Sequence, residues 1–554
     1  MKINKLGNIL LIIFVLLLII NVVSAGDNSM VGTDNGKLML DTDSDSSISV
    51  ADADDGAKLS ATNSHETLKA GEVGNYTELQ SLIDSNLNGV ITLDKDYAYV
   101  DGDPNLVQIS NSITINGNGH NINGNNKKMS FYIPEGVSYV TLNNITFING
   151  YGNSMLWING HNCLVDNCTF EKNLASKGGA IRLGGYYNTV NNSVFNDNIA
   201  NDAGAIYASG SYNSISNCTF EHNNAAKNAG AVDLQGYRNL IYNSTFKSNY
   251  AKEYAGAVYS YHQDNTIDDC TFDDNHADII GGAVYMNYIN SVINNSKFNR
   301  NYAGYYAGAV YLTNYADKCI INNSKFNENY IDNDQSQGSA VYVSTAKNVK
   351  ILNSEFNKHE AKVGGAVYWM GINGTVKGST FNENNATSFG GAIYWLGENG
   401  TIEDNEFNKN HADQGGAIYV LKPNLLIDDS KFSENTADRF AGAIYIGTNI
   451  TNTTVKNSEF RKNKATERSG AIDIHGENNT IDNSIFEENA AEYGGAIGIA
   501  KIVNFDENLN NTIRDSTFNK NKAEHGGAVY IESKGNTIDG SRFYYNTADR
   551  LVVL

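Results

Sequence analysis

The sequence predicts an all-β chain wound as a single-stranded parallel β-helix, and three observations carry that prediction. A phenylalanine returns fifteen times between Phe170 and Phe543, at intervals of 25 to 32 residues. Past each of these except the last comes a small-residue cluster, such as Gly281-Gly-Ala-Val-Tyr285 or Gly415-Gly-Ala-Ile-Tyr419. No 11-residue window of the repeats carries an apolar face at helical spacing, while Asn and Gly are dense throughout. Units this short cannot bury a core alone, so like units must stack, and helical solenoids are excluded.

The elements follow in chain order. Residues 1–25 have the layout of a secretory signal: Lys2 and Lys5, an apolar run from Ile9 to Ile20, and Val23-Ser-Ala25 as a cleavage site. The apolar run is shorter than the roughly 20 residues a membrane helix needs, so cleavage leaves no membrane span. Residues 26–74 are rich in Asp, Ser, Gly and Asn without periodicity and read as a disordered acidic leader. Asp43 to Asp55 lacks the spaced ligands and fixed Gly of an EF-hand loop. The N-terminal cap and first coils occupy 75–135. Within them Tyr76 to Asp84 carries a capping-box pattern, Thr77 followed by Gln80, and predicts a short amphipathic helix closing the open end of the stack. Ile113-Thr-Ile-Asn-Gly-Asn-Gly-His120 reads as strand, corner, strand, and Val140 to Phe147 as an early coil.

The repeats proper fill 136–554. Aligned on Phe, they have Val or Ile five places before it and Ser or Cys two before it, except at Asn405. Asn stands three places after Phe except at His359, and Ala five after except at Ile331. In a strand alternate residues share a face, so Phe and the Ser/Cys point inward together. The Val/Ile has the opposite parity, which requires a bend near the Asn or Asp three before Phe, a residue type that tolerates left-handed backbone. Coils rising by about 4.8 Å give a rod on the order of 65 Å long, with Phe, Ser and Asn side chains laddered coil upon coil. Cys168, Cys218 and Cys270 share the Ser column two coils apart, about 9.6 Å, beyond disulfide reach. With Cys163 and Cys319 they are expected to be buried thiols.

The pairing of Phe-x-x-Asn with Gly-Gly-Ala-Ile resembles the repeats of polymorphic outer membrane proteins. The fuller pattern is similar to the adhesin-like proteins of methanogenic archaea, which combine an export signal, an acidic leader, Ile-Thr-Ile-Asn-Gly-Asn-Gly-His and Asn-Ser-x-Phe-x-x-Asn coils. The resemblance covers roughly residues 75–550. It implies a right-handed, pectin-lyase-like β-helix at the cell surface or outside the cell, engaged in cell adhesion. No membrane barrel or wall-binding module of those families follows the coils in this sequence, and two expectations stand side by side: the product is shortened, or Leu551-Val-Val-Leu554 covers the last coil.

Two residues past the Ala of each small cluster, Tyr occupies ten of fourteen units. Eight are consecutive: Tyr259, Tyr285, Tyr311, Tyr342, Tyr368, Tyr394, Tyr419 and Tyr445. Alternation puts this column on the outer face, and an exposed aromatic strip about 34 Å long is expected there. Aromatic ladders stabilise sheets by stacking, but an exposed one also marks a contact surface. These eight tyrosines are the candidate ligand-binding residues. The partners expected are glycans or proteins of other cells, with end-to-end or lateral self-association as a further contact.

The net charge of −21, from 61 acidic and 40 basic residues, opposes binding to nucleic acid and anionic lipid. No cofactor motif, GxSxG, HExxH, P-loop or CxxC occurs. The alternative function, a secreted β-helical polysaccharide lyase or glycoside hydrolase, needs paired carboxylates or a cation site. The breaks that catalysis would require are His359 in the Asn column, read as a surface corner residue, and Asp473-Ile-His475 in the Tyr column. Neither is joined by a second irregular acid. Sequons in variable corners, Asn75, Asn373, Asn399 and Asn452, are candidate glycosylation sites.

Overall fold

The computed structural model describes residues 73–86, 89–128, 131–500 and 509–550. The expected signal, nearly all of the acidic leader and the tail at 551–554 lie outside them. The described residues form a parallel β-helix in which each coil contributes up to four short strands. One coil serves for all: β1 Leu164–Asp166, β2 Thr169–Glu171, β3 Leu174–Lys177 and β4 Ile181–Leu183. Every strand pairs in parallel with its equivalents one coil below and one above, as Val165 does with Leu142 and Val190, and Phe170 with Phe147 and Phe195. Four long sheets result, called here the Ile sheet (β1), the Phe sheet (β2), the Ala sheet (β3) and the Tyr sheet (β4). The Phe sheet has 19 strands and the Ala sheet 16.

The inward columns are those the alignment identifies. Phe170, Val165 and Cys168 are all at most 1% exposed. From Phe147 to Phe543 the rings form one file, adjacent centroids being 4.7–5.0 Å apart with planes within 10° of parallel. Each buried ring contributes about 1.5–3 kcal/mol of hydrophobic stabilisation. The bend that parity requires is present: Asn167, Asn217, Asp269 and Asn323 have φ between 46° and 54°. A second left-handed residue two places after Phe carries no glycine or asparagine preference, for Lys172, His222 and Arg300 all have φ of 50–55°.

The corner between the Phe and Ala sheets is held by buried asparagines. Asn198 Nδ2 donates to Asn223 Oδ1 of the next coil at 2.9 Å and to the Phe170 carbonyl of the previous coil at 3.0 Å. The same Oδ1 also accepts the Asn198 backbone N–H, at 3.1 Å. The pattern repeats from Asn173 to Asn546, so the polar groups of a tight buried corner are satisfied coil by coil. The small-residue cluster has an equally local cause. A Cβ on Gly230 would stand 2.0 Å from the Gly256 carbonyl oxygen, so the coils approach too closely for a side chain there.

The expected helix is α1, Tyr76–Asp84, with Tyr76, Leu79 and Ile83 buried on the end of the core. Its N-cap is Asn75, whose side chain accepts the Glu78 N–H at 2.9 Å, rather than Thr77. The Thr77 hydroxyl donates to Asp103, which also accepts the Tyr76 N–H. Gln80 is freed to act on the sheet edge: its side chain accepts from the Gln108 N–H at 2.8 Å and donates to the Gln108 carbonyl at 3.0 Å. One glutamine thus replaces the missing strand below Gln108. All five cysteines are free and buried, and burial pushes the Cys168, Cys218, Cys270 and Cys319 thiols up to about 12. Among the described residues no helix is long and apolar enough to cross a membrane.

Candidate functional site

The eight tyrosines form the expected file on the outer face of the Tyr sheet. Adjacent rings are 4.6–5.5 Å apart from Tyr259 to Tyr445, with planes within 21°. They are not the exposed strip that alternation predicts. Tyr342, Tyr368, Tyr394, Tyr419 and Tyr445 are at most 9% exposed, and Tyr259, Tyr285 and Tyr311 are half-buried. A second layer covers them, formed by Tyr306, Val363, Phe389 and Phe440 on one flank and Met370, Leu396 and Leu421 on the other. Three covering rings reach the tyrosine of the next coil: Tyr254 lies 5.3 Å from Tyr285, Tyr306 5.2 Å from Tyr342, and Phe389 4.7 Å from Tyr419. Desolvation by this layer raises the phenol pKa, to about 12 at Tyr311. The signal was present in the sequence. The residue just before each small pair reads Tyr254, Ile280, Tyr306, Gln337, Val363, Phe389, Gln414 and Phe440, a column on an outer corner that is apolar at six of eight positions.

Toward the N-terminus the same column changes character, and so does its cover. The outer positions there are Tyr132, Trp157, Arg182, Tyr207 and Asp233, in register one above another. The residues before the small pairs are Lys177, Asp202 and Asn228. Without an apolar cover, Tyr132, Trp157, Arg182 and Tyr207 remain partly exposed. The Arg182 guanidinium lies 4.7 Å over the Trp157 ring, and the Lys177 ammonium 5.1 Å over that of Tyr207. Tyr132 packs beneath Trp157 at 5.3 Å. Asp233 is buried, bonded by Gln235 Nε2 at 3.0 and 3.2 Å, and burial pushes its carboxyl up to about 8.

The adjoining corner, between the Tyr and Ile sheets, carries a further file that the column analysis missed. His161 lies 5.4 Å from Tyr186. Tyr187, Tyr212, Tyr237, His262 and Tyr288 then continue it at 5.0–5.8 Å. Tyr186, Tyr187 and Tyr288 are 45%, 56% and 40% exposed. Variable spacing hides this file, because it alternates between neighbouring positions of the corner.

The two conspicuous breaks are both buried. His359 is 0% exposed, which corrects its reading as a surface corner residue: it occupies an asparagine's place in the buried ladder. Asp473 and His475 are 0% and 1% exposed. They are joined by Arg468, whose Nε lies 3.1 Å from both Asp473 oxygens and whose guanidinium lies 2.7 Å from His475 Nε2. His475 stacks on Tyr445 at 5.0 Å, so the ion cluster ends the tyrosine file. Despite burial, which acts the other way, Arg468 and His475 hold the Asp473 carboxyl below its ordinary range. Among the described residues no group of three or more His, Cys, Asp or Glu is placed to hold a metal ion.

Solved structures similar to this chain include two lyases and a phage tailspike. A family 6 polysaccharide lyase, an alginate lyase in complex with trisaccharide, shares 10% identity over 65% of this chain and 85% of its own, with a TM-score of 0.35. A mutant tailspike protein of E. coli bacteriophage HK620, in complex with pentasaccharide, shares 11% over 84% of this chain and 76% of its own, at 0.34. A mannuronic acid-specific family 6 lyase from human gut microbiota shares 10% over 80% and 85%, at 0.29. No curated protein matches the chain. The family model of the right-handed β-helix region matches residues 133–279, 204–381 and 365–543, spanning the coils whose register is described above. The chain belongs to the right-handed β-helix family.

Proposed function

We propose that this chain is an exported, adhesin-like rod that attaches cells to glycan-bearing surfaces and catalyses no reaction. The observation that carries the reading is the uncovered aromatic file from His161 to Tyr288, beside Tyr132, Trp157 and Tyr207. From Tyr311 to Tyr445 the rings of this outer face are roofed by apolar side chains. Aromatic rings left at the surface of a rigid scaffold mark a contact surface, and their π-faces suit the apolar faces of sugar rings. The secretory layout of residues 1–25 and the resemblance to adhesin-like repeats of methanogenic archaea support placement at the cell surface. The tyrosines from Tyr311 to Tyr445 serve the reading indirectly, packed with their apolar cover into a cluster that stiffens the coils.

The test is attachment to a glycan array and to cells by the full chain and by a variant carrying Tyr186→Ser, Tyr187→Ser, Tyr212→Ser and Tyr237→Ser. Attachment is expected to fall with an unchanged melting transition, because these rings lie outside the core. Undiminished attachment by the quadruple variant overturns the reading. Release of unsaturated or reducing sugar from uronans by the parent chain overturns its non-catalytic part.

A further inference from the structure

We propose that Arg182, Lys177, Trp157 and Tyr207 form a binding patch for the acidic groups of an anionic polysaccharide. The inference rests on the glycan-attachment reading and narrows its ligand to carboxylate- or sulfate-bearing chains.

The charge pattern singles the patch out. Of the eight other arginines all but Arg542 are engaged by carboxylates: Arg238 with Asp264, Arg300 with Asp274, Arg439 with Asp413, Arg461 with Glu487, Arg468 with Asp473, Arg514 with Asp482 and Arg550 with Glu524. Among the described residues Arg182 has no such partner and lies instead on an indole. Lys177 lies on a phenol ring; Asp202, in register with it, is not within ion-pair distance. The acid in this stretch of the column, Asp233, is buried and turned to Gln235.

The geometry suits an oxyanion. A guanidinium stacked on an indole keeps its plane fixed and its N–H edge free, the arrangement that takes a carboxylate or sulfate through two parallel hydrogen bonds. Arg182 sits between Trp157 and Tyr207 in register, one coil from each. A polymer lying along the rod therefore meets ring, cation and ring at intervals of about 4.8 Å. The chain as a whole, with its net charge of −21, repels polyanions, so contact is confined to this face.

The experiment is affinity electrophoresis of the full chain in gels containing polygalacturonate, dextran sulfate or neutral dextran. The parent chain and the Arg182→Gln, Arg182→Lys and Lys177→Gln variants are compared, with melting curves to verify the fold. Polyanions are expected to retard the parent more than dextran does. Arg182→Gln is expected to weaken that interaction about tenfold, the loss of one charge-assisted hydrogen bond, while leaving dextran unaffected. Arg182→Lys should recover only part, lacking the fork. Retardation by only one polyanion identifies carboxylate or sulfate as the group bound. Equal polyanion binding by parent, Arg182→Gln and Lys177→Gln overturns the inference. Retardation by dextran alone overturns it and leaves the attachment reading standing, whereas absence of retardation in every gel removes both.

Discussion

Asn329 Nδ2 donates to Nε2 of His359 at 3.2 Å, so a histidine continues a chain of hydrogen bonds otherwise made by asparagine amides. An amide nitrogen can only donate, which leaves Nε2 as acceptor and puts the proton on Nδ1, 2.9 Å from Asn384 Oδ1. The ring keeps the direction of the ladder but has one donor where asparagine has two. The Phe326 carbonyl therefore lacks the side-chain bond that Phe298 receives from Asn329 and Phe356 from Asn384.

His359→Asn is expected to stabilise its coil by about 1 kcal/mol, the value of one restored hydrogen bond. Burial lowers the His359 pKa from 6.5 to about 4. A base whose folded-state pKa is depressed contributes full stability above its unfolded value, and loses it as pH falls from about 6.5 to about 4, by on the order of 3 kcal/mol. Urea unfolding at pH 7 and pH 4.5 checks this: the parent loses stability between them and the asparagine variant loses less.

Tyr368→Ser removes a ring stacked between Tyr342 and Tyr394 at 4.8 and 5.2 Å and roofed by the apolar layer. The expected cost is about 3 kcal/mol, as for other large buried side chains. Tyr187→Ser, at an exposed corner, should cost under about 0.5 kcal/mol. Equilibrium denaturation of the two variants separates packing tyrosines from surface ones.

Asp233 has the opposite linkage to His359. Its folded pKa is raised from 3.8 to about 8 by burial, so the protonated acid is the form the fold favours. Stability falls as pH rises from about 4 toward about 8, because the unfolded chain releases the proton first. Asp233→Asn keeps a neutral side chain beside Gln235 and is expected to raise the melting temperature at pH 8 but not at pH 4.

Arg468→Leu strands the buried Asp473 carboxylate and is expected to cost about 3–5 kcal/mol. The pair Arg468→Phe with Asp473→Tyr copies Phe440 and Tyr445 one coil below, and should recover most of that loss by extending the tyrosine file. A double-mutant cycle in guanidinium measures the recovery.

Much of the fold was legible because it is repetitive. Fifteen copies of Phe, and of the Val/Ile five places before it, turn one ambiguous strand into a column whose parity can be read. The site was less legible, since parity says which face a residue is on but not what lies above that face. Tyr368 is on the outside of its sheet and still buried, because it is stacked between Tyr342 and Tyr394 in a cluster that apolar side chains such as Val363 and Met370 join from the flanks. The corner file from His161 to Tyr288 was missed for a related reason: rings at neighbouring positions converge only once the left-handed turn at Tyr187 or Tyr212 is known. The Thr77 capping box failed because Asp103, 26 residues away, takes that hydroxyl, which no local pattern reveals.

The asparagine ladder has an electrical consequence. Each ladder amide from Asn198 to Asn521 accepts through its oxygen from the preceding coil and donates one of its two N–H groups to the following one. Each carries a dipole comparable to the ~3.5 D of a peptide unit, and all point the same way along the axis. The aligned amides therefore add up to a dipole along the described coils. A proton arriving at Nε2 of His359 would set two donors face to face with Asn329, splitting that aligned array into two domains.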